Sequence, residues 1–477
     1  MNIKISKTTD IQVDLPVIYL AKDENDLKDF SFLPSEFEYI KKQASDKKKT
    51  VKINSYYKWS YIQWIDTEIE ENKIKEKLRR AAGSLYDILK ENKHEEIVIV
   101  DLSKNAEYAI AYLEGIALSH YQFLKYFTKD DEKKNHLKEI FIHSPNVRND
   151  QIEELLLLNE SITYTKDLVN EPVSFLNTEQ FSQEIVELGS KAGFEVEVFN
   201  KKKIESLKLN GLLAVNKGSI DPPAFSVLTW KPENAVNKKP YILVGKGVVY
   251  DTGGVNIKPG SYMDTMKSDM AGAAAVVGTF HAIAKSKTPI YIIGLIPITD
   301  NRPNANAYVP DDIITMHSGA TVEVKNTDAE GRLILADALS FAQKYNPELV
   351  IDLATLTGSA AAAIGDLGIV AMNNIKDNKF KQLQEAGERV YERIVEFPIW
   401  DEYEDMLKSE IADIKNLGGS VAGAITAAKF LEHFTNYPWI HLDIAGPAFL
   451  TKNDNYRGIG ATATGVRLLF DFFKNQL

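Results

Sequence analysis

The amino-acid sequence predicts an α/β protein with a smaller N-terminal α/β domain, residues 1–150, and a larger α/β domain, residues 151–477, that has a mostly parallel central sheet. Short apolar runs typical of strands alternate with helical stretches along both parts of the chain. In the second part these runs are nearly continuous in apolar residues, as in parallel strands covered by helices on both faces. A polar segment, HSPNVRNDQ, separates the two parts.

The N-terminal part shows the element pattern of a small α/β domain. Its predicted strands are QVDLPVIYL, EEIVIVDL and KEIFIHS, and its predicted helices are NKIKEKLRRAAGSLYDILKEN and AEYAIAYLEGIALSHYQFLKYF. A further helix is predicted from about Ile152 to Val169, directly after the polar segment. We therefore place the domain boundary in that segment.

The second part alternates strands and helices more regularly. Its predicted strands are YILVGKGVVYD, PIYIIGLIPIT, ELVIDLATLTG and WIHLDIAG. Between them lie a helix over MAGAAAVVGTFHAIAKS and a second helix that follows Glu330. This order predicts strands whose carboxyl ends meet at one edge of a sheet, where such folds bind their ligands.

The composition restricts the classes of function. The chain has 477 residues, 44% of them hydrophobic, which is enough to bury two sizeable cores. Its formal net charge of -11 disfavours nucleic acid and anionic membrane surfaces as partners. Because the sequence has no cysteine, disulfides, thiolate metal ligands and a cysteine nucleophile are excluded.

The sequence shows no evident targeting signal. Its start, MNIKISKTTDIQVDL, lacks the apolar segment and the small-residue cleavage site of a signal peptide. The longest mostly apolar run, AGAAAVVGTFHAIA, is too short to span a bilayer. We therefore expect a cytoplasmic protein.

Several familiar catalytic and binding motifs are missing from the sequence. There is no G-x-S-x-G elbow, and neither Ser359 nor Ser420 has a neighbouring histidine that could serve as a base. The eight histidines are scattered, without an H-E-x-x-H pair. The segment VGKG completes neither a phosphate loop nor a dinucleotide fingerprint, so nucleotide binding is a minor alternative.

Four acidic residues stand at the ends of predicted strands or the starts of predicted helices: Asp251, Asp269, Asp328 and Glu330. Each has a structural alternative. Asp251 could form a turn with its own backbone, and Asp269 could be the N-cap of the following helix. Thr327 and Glu330 match the spacing of a capping box.

Four carboxylates at one edge of a sheet need positive charge to compensate them. A pair of divalent cations would provide it, because hard oxygen ligands suit two-metal sites. If the segment NTDAEGRL is extended here, Asp328 and Glu330 project to the same side. The start of the following helix also favours negative charge. The sequence therefore predicts a two-metal centre.

The motifs of the second part together resemble those of the leucyl (cytosol) aminopeptidase family, a family of dimetal exopeptidases. The resemblance is carried by VGKGVVYDTGG, NIKPG, MKSDMAGAAAV and NTDAEGRL, and it extends through NEPVSFLN, IDLATLTG, AGAITAAKFL and HLDIAGPA. It covers roughly residues 150 to 477. The first 150 residues correspond by position only to the small N-terminal domain of this family, with a role in assembly or regulation.

The resemblance implies two divalent metal ions per subunit, zinc or manganese. Lys246, Asp251, Asp269 and Glu330 would hold one ion, and Asp251, Asp328 and Glu330 the other. A lysine can be a ligand only as the neutral amine, which burial and two adjacent dications favour. The alternative for Lys246 is an ion pair with the same carboxylates.

The resemblance also implies catalytic roles for two basic residues. Arg332 would hold a bicarbonate that acts as general base for the attacking water, since a guanidinium suits bidentate oxyanion binding. Lys258 would polarise the scissile carbonyl; its alternative is a solvated loop lysine. The residues around the substrate side chain would be Met266, Thr355, Gly358, Ala445 and Ala448, whose small or apolar nature favours leucine or another apolar N-terminal residue.

The family resemblance further implies a homohexamer that acts on peptides. Tyr250, Ala271 and His317 depart from the usual motif residues, which affects substrate preference more than reaction class. Two other functions remain open at this stage: a dimetal phosphoester hydrolase, and a non-enzymatic binding protein with a decayed catalytic domain.

Overall fold

The computed structural model describes residues 3–11, 14–56, 58–129 and 133–476. The chain divides into two compact units. One comprises Met1–Glu160 and Lys452–Gly458, and the other comprises Ser161–Thr451 and Ile459–Leu477.

The first unit is built on a six-stranded sheet of order β1-β6-β5-β2-β4-β3, in which only the β3–β4 pairing is antiparallel. The strands are β1 (Lys4–Lys7), β2 (Val17–Ala21), β3 (Thr50–Ser55), β4 (Lys58–Trp64), β5 (Glu96–Asp101) and β6 (Glu139–His143). The helices are α1 (Pro34–Ser45), α2 (Glu71–Glu91), α3 (Ala106–Ser119) and α4 (Asn149–Asn170), and the last of these contains the boundary between the units.

The buried sheet explains the apolar strands of the first unit. Ile18 and Leu20 of β2 join one apolar core, whereas Val17 and Tyr19 join a second core on the opposite face. The predicted strands and helices correspond to β2, β5, β6, α2, α3 and α4, although Gln12 and Val13 of the first predicted strand lie outside the described residues. Helix α3 ends at Ser119, earlier than the sequence pattern indicated.

The second unit contains a nine-stranded, mostly parallel sheet of order β16-β15-β18-β14-β9-β11-β8-β7, with β10 also paired to β11. Its strands are β7 (Glu195–Phe199), β8 (Ala224–Trp230), β9 (Tyr241–Gly245), β10 (Gly247–Asp251), β11 (Ile292–Asn301), β14 (Leu349–Ala354), β15 (Ile369–Asn373), β16 (Ile394–Glu396) and β18 (Trp439–Asp443). Smaller sheets are formed by β12 (Ile313–Thr315), β13 (Thr321–Glu323) and β17 (Ile414–Lys415), and by β19 (Phe449–Leu450) and β20 (Gly460–Ala461).

The helices of the second unit cover both faces of its large sheet, as predicted. They are α5 (Thr178–Ala192), α6 (Lys201–Ser206), α7 (Asn210–Asn216), α8 (Ala271–Lys285), α9 (Glu330–Ala342), α10 (Gly358–Ile364), α11 (Lys379–Val390), α12 (Gly423–Glu432) and α13 (Val466–Lys474). Helix α9 packs in one core with Ile242 and Ile293. On the opposite face of the sheet, Phe280 of α8 lies against Gly294 of β11. The residues on either side of Gly294, Ile293 and Leu295, belong to the core that contains α9.

The predicted strand YILVGKGVVYD is two strands, β9 and β10, that separate at Lys246. The Lys246 amide donates to the carbonyl of Leu353 at 3.0 Å, and its own carbonyl accepts from the amide of Ala273. These bonds tie the break to β14 and to the first turn of α8. They place Lys246 at the edge where β9 and β14 end.

Within the described residues, no helix has both the length and the apolar character that crossing a bilayer requires.

Candidate metal centre

The four acidic residues singled out in the sequence lie at the carboxyl edge of the large sheet. Asp251 ends β10, Asp269 precedes α8, Asp328 lies in the turn before α9, and Glu330 is the first residue of α9. One carboxylate oxygen each from Asp251, Asp328 and Glu330 lies within 4.8 Å of the others. This spacing allows three ligands to reach one cation.

Lys246 links the fourth carboxylate to this group. Its Nζ is 2.8 Å from Asp269 Oδ1 and 3.0 Å from Glu330 Oε1, and it donates to the Thr355 carbonyl at 2.9 Å. The side chain is 3% exposed. Burial lowers the pKa of Lys246, but the negative charges of Asp269, Glu330 and Asp251 outweigh burial and raise it above its usual range. The ion pairs considered for this lysine are therefore present in the structure.

Lys258 is not a solvated loop lysine. Its Nζ lies 2.7 Å from Asp251 Oδ2 and 2.6 Å from Asp328 Oδ1, and its side chain is 14% exposed. It is therefore largely buried at the acidic group, whereas its neighbour Ile257 is 54% exposed. An ammonium here can donate to any oxygen that enters the group.

The acidic group carries more negative than positive charge. Four carboxylates face two lysine ammonium groups, which leaves a formal excess of two negative charges when all are ionised. Burial raises the pKa of Glu330 and of Asp269, and the charge of Asp251 adds to the rise. These directions mean that the carboxylates lack sufficient compensation from the side chains around them.

Three carboxylate oxygens of the group are buried without a hydrogen-bond donor among the described residues: Asp269 Oδ2, Asp328 Oδ1 and Glu330 Oε2. Asp328 Oδ1 forms an ion pair with Lys258 Nζ at 2.6 Å, which leaves Asp269 Oδ2 and Glu330 Oε2. Buried polar atoms in proteins nearly always have a partner. Together with the excess of negative charge, they fit a divalent cation. The donor set of carboxylate oxygens and one amine suits divalent metal ions.

Arg332 is the third residue of α9, within the first turn of the helix, and is buried. It donates from Nη1 to the carbonyl of Asn416 at 2.8 Å. Burial lowers its pKa to about 10, and the charges of Glu330 and Asp443 limit the decrease, so the guanidinium is charged at neutral pH. It supplies a third positive charge beside the acidic group.

The capping-box interpretation of Thr327 and Glu330 is wrong. The N-cap of α9 is Ala329, with no side-chain hydrogen bond. The Thr327 hydroxyl instead donates to the Gly253 carbonyl and accepts from the amide of Asn256. The segment is also a turn at Asp328 and not the extended strand considered from the sequence. Because the Glu330 carboxylate is not part of a capping box, it can take part in the acidic group.

The alternatives for the two other aspartates have different outcomes. Asp251 does form the expected turn, since its Oδ1 accepts from the amide of Gly253 at 2.8 Å, while its Oδ2 remains with Lys258. Asp269 is not the N-cap of α8, because Met270 occupies that position. Asp269 accepts from Lys246 and, at 2.8 Å, from the hydroxyl of Thr355.

The five residues predicted around the substrate side chain stand on loops and element starts of the second unit. Met266 begins a short 3₁₀ turn, Thr355 follows β14, Gly358 begins α10, and Ala445 and Ala448 follow β18. The Thr355 hydroxyl donates to Asp269, and its carbonyl accepts from Lys246 Nζ. Ala445 donates its amide to Asp443 Oδ1, and Ala448 is buried.

Two polar residues at the site were missed in the sequence: Asn301, which binds Asp251, and Tyr308, which binds the turn before Asp328. Asn301 donates to Asp251 Oδ1, and the hydroxyl of Tyr308 donates to the Thr327 carbonyl. A signal for Asn301 was available, because it lies two residues after the predicted strand PIYIIGLIPIT. The structure extends that strand to Asn301, so this side chain reaches the same edge as Asp251.

The fold and the site define an α/β enzyme whose centre suits divalent cations. Comparison with known proteins identifies its family. Residues 163–470 match the catalytic domain of the cytosol aminopeptidase family. The chain belongs to this family, and it is a metal-dependent aminopeptidase.

Relatives of known sequence carry the same family name. A probable cytosol aminopeptidase of Chloroherpeton thalassium is 46% identical over 357 residues, which cover 73% of this chain and 69% of that protein. A probable cytosol aminopeptidase of Clostridium perfringens is 40% identical over 419 residues, which cover 85% and 84%. The second alignment thus extends into the N-terminal part, where sequence motifs gave no match.

Solved structures of similar fold cover nearly the whole chain. The bottromycin maturation enzyme BotP in complex with Mn matches with a TM-score of 0.86 and 27% identity, over 97% of this chain and 99% of that one. A mutant of tomato leucine aminopeptidase matches with a TM-score of 0.87 and 26% identity, over 99% and 96%. The predicted fold class and family are therefore confirmed.

Proposed function

We propose that this aminopeptidase removes the N-terminal residue of peptides, with preference for leucine or another apolar residue, at a centre of two divalent ions. The observation that carries the proposal is the group of Asp251, Asp328 and Glu330, in which one carboxylate oxygen of each residue lies within 4.8 Å of the others and Asp251 and Glu330 are buried. The adjoining Lys246 and Asp269 extend it to a second ion position.

The residues that would hold the ions form two overlapping sets. One set is Lys246, Asp251, Asp269 and Glu330, and the other is Asp251, Asp328 and Glu330. The two unpartnered oxygens, Asp269 Oδ2 and Glu330 Oε2, support these sets because each has no competing donor among the described residues. Zinc or manganese fits the donors, and the related BotP structure is titled as a complex with Mn.

When bound, two divalent ions activate a water molecule and polarise a carbonyl group. The residues of this chain then have separate tasks. Lys258, freed from Asp251 and Asp328 once their charge is neutralised, donates to the oxygen of the scissile carbonyl as negative charge develops there. Arg332 would hold a bicarbonate, whose chemistry would be that of a general base, since a guanidinium suits bidentate oxyanion binding.

The substrate side chain would lie among Met266, Thr355, Gly358, Ala445 and Ala448. The first is apolar and the others are small, which favours an aliphatic side chain over a charged one. Thr355 supports this placement, since its hydroxyl already lies at Asp269 and its side chain is only partly buried.

The setting of the enzyme is also part of the proposal. We infer a cytoplasmic homohexamer, in which the N-terminal unit serves assembly or regulation. The family name and the names of the relatives support the compartment, and the hexamer rests on the family resemblance alone.

Hydrolysis of Leu-p-nitroanilide with and without a chelator tests the proposed function. We expect the untreated protein to release nitroaniline, the chelated protein to be inactive, and added Mn²⁺ or Zn²⁺ to restore activity. p-Nitrophenyl phosphate serves as the comparison substrate and should remain intact. Cleavage of the phosphate alone would identify a phosphoester hydrolase, and no turnover of either substrate after metal addition would leave a binding protein.

A further inference from the structure

The turn that carries Asp328 has its backbone held by asparagine side chains from other segments. The turn, residues 325–328, belongs to no helix or strand. Its peptide groups therefore need partners from outside regular structure, since buried N–H and C=O groups are costly when unpaired. Three asparagines from different segments provide these partners, and we call them the amide frame: Asn256, Asn301 and Asn416.

Asn416 and Asn256 bind the first part of the turn. Asn416, fully buried, accepts from the amide of Lys325 at 2.7 Å and donates to the carbonyl of Asn326 at 2.8 Å. Asn256 accepts from the amide of Thr327 at 2.9 Å. The side-chain amides of Asn416 and Asn256 thus bind the backbone groups of the turn that a neighbouring strand would bind in a sheet.

Asn301 has a different position in the frame, because it joins two of the acidic segments. Its Nδ2 donates to Asp251 Oδ1 at 2.8 Å and to the carbonyl of Thr327 at 3.0 Å. Its backbone carbonyl accepts from both the amide and the hydroxyl of Thr252. The residue is 1% exposed. One amide group therefore fixes the distance between Asp251 and the turn of Asp328.

Tyr308 provides a second donor to the same carbonyl. Its buried hydroxyl donates to the Thr327 carbonyl at 2.7 Å, but it makes no recorded hydrogen bond to Asp251. The pair of residues thus separates two effects: Tyr308 holds the turn alone, whereas Asn301 holds the turn relative to Asp251.

We propose that Asn301 is a positioning residue for metal binding, which sets Asp251 and the Asp328 turn at the separation a cation requires before the cation binds. The inference rests on the metal centre proposed above. An asparagine is required because both partners, a carboxylate oxygen and a carbonyl oxygen, are acceptors, and an amide nitrogen offers two donors. An aspartate or a leucine at this position offers none.

The test is the affinity of the chelator-stripped full-length protein for Mn²⁺, measured by calorimetry. Asn301→Leu is expected to weaken Mn²⁺ binding about 10- to 100-fold, the usual cost of losing an outer partner of a metal ligand. Asn301→Ser keeps one hydroxyl donor. It is expected to weaken Mn²⁺ binding less than Asn301→Leu does, by about fivefold or more. Should the leucine variant fail to fold, the serine variant carries the test.

Asn374 is a matched control. Its side chain also joins two backbone groups, accepting from the amide of Trp439 at 2.8 Å and donating to the carbonyl of Tyr437 at 3.2 Å, before β18 begins. Asn374→Leu should lower the unfolding temperature without metal as much as Asn301→Leu, yet bind Mn²⁺ like the wild type. Tyr308→Phe should weaken binding less than Asn301→Leu.

Two results would overturn the positioning role: Mn²⁺ affinity of Asn301→Leu or Asn301→Ser within twofold of the wild type, or an equal loss in Asn374→Leu. If the wild type itself binds no Mn²⁺, the proposed metal centre is wrong, and the inference about Asn301 is wrong with it. A wild type that binds Mn²⁺ and variants that bind equally well contradict only the role of Asn301.

Discussion

Replacing Glu330 with glutamine is expected to abolish peptide hydrolysis while the chain stays folded. Glu330 is one of the two residues, with Asp251, that both proposed ion sets share, and its Oε2 has no donor among the described residues. A neutral amide keeps the shape but loses the charge and one ligand oxygen. We expect kcat/KM for Leu-p-nitroanilide to decrease at least about 1000-fold, as for other residues on which a catalytic centre depends.

The stability of this variant without metal should be unchanged or higher. Burial raises the pKa of Glu330 in the folded state. The ionised carboxylate therefore opposes folding at any pH above its unfolded pKa, and this cost is largest above the folded pKa. Removing the ionisable group removes that cost, although Lys246 loses one ion-pair partner. Thermal unfolding at neutral pH, followed by circular dichroism, measures the outcome.

Asp337 offers a control on the same helix. It is also buried in α9, but it accepts from the backbone amides of Leu212 and His317 and does not belong to the acidic group. Asp337→Asn is expected to lower the unfolding temperature and to retain Leu-p-nitroanilide hydrolysis. If Glu330→Gln also retained hydrolysis, Glu330 would be only the first residue of a helix.

Replacing Lys258 with alanine is expected to lower kcat for Leu-p-nitroanilide about 100- to 1000-fold, the usual cost of losing one donor to a developing oxyanion. KM should change little, because the proposed contact strengthens in the transition state. Mn²⁺ affinity should be equal or tighter. The ammonium of Lys258 lies 2.7 Å from Asp251 and 2.6 Å from Asp328, where it competes with a cation for both carboxylates.

The combined changes in kcat, KM and Mn²⁺ affinity distinguish an electrophilic role of Lys258 from a purely structural one. Loss of a purely structural ion pair would lower the unfolding temperature and metal affinity together. Lys429→Ala provides the comparison, since this lysine also bridges two carboxylates, those of Asp401 and Glu432. It should keep kcat and Mn²⁺ affinity. A Lys258→Ala enzyme with wild-type kcat would contradict the proposed role.

The large sheet was predictable because its central strands are long and apolar. β9, β11, β14 and β18 are buried along their whole length, so their sequences are nearly continuous in apolar residues. Several strands that escaped prediction are short or half-exposed, although β8, with seven residues of which five are buried, was missed as well. β17 and β19 have two residues each, which is too few for an alternation of apolar and polar residues to show. Their pairing with other strands forms only when the chain folds.

The acidic residues of the site were found from their positions at strand and helix ends, but the side chains that hold them were not. Whether Thr327 caps α9 or binds Gly253 depends on a segment more than 70 residues away, so the local motif was misleading. Asn416 looks like an ordinary loop residue in sequence, because its hydrogen-bond partners are set by the fold. The roles of Lys258 and Arg332 came from the family resemblance and not from the residues alone.

The central claim is that Lys246 and the four carboxylates hold two divalent ions. Elemental analysis of the protein, loaded with Mn²⁺ or Zn²⁺ at neutral pH and then desalted, tests it most directly. We predict two ions per chain for the wild type and fewer for Glu330→Gln. A folded wild-type protein that retains no ion would contradict the claim, and one that retains a single ion would restrict the centre to Asp251, Asp328 and Glu330.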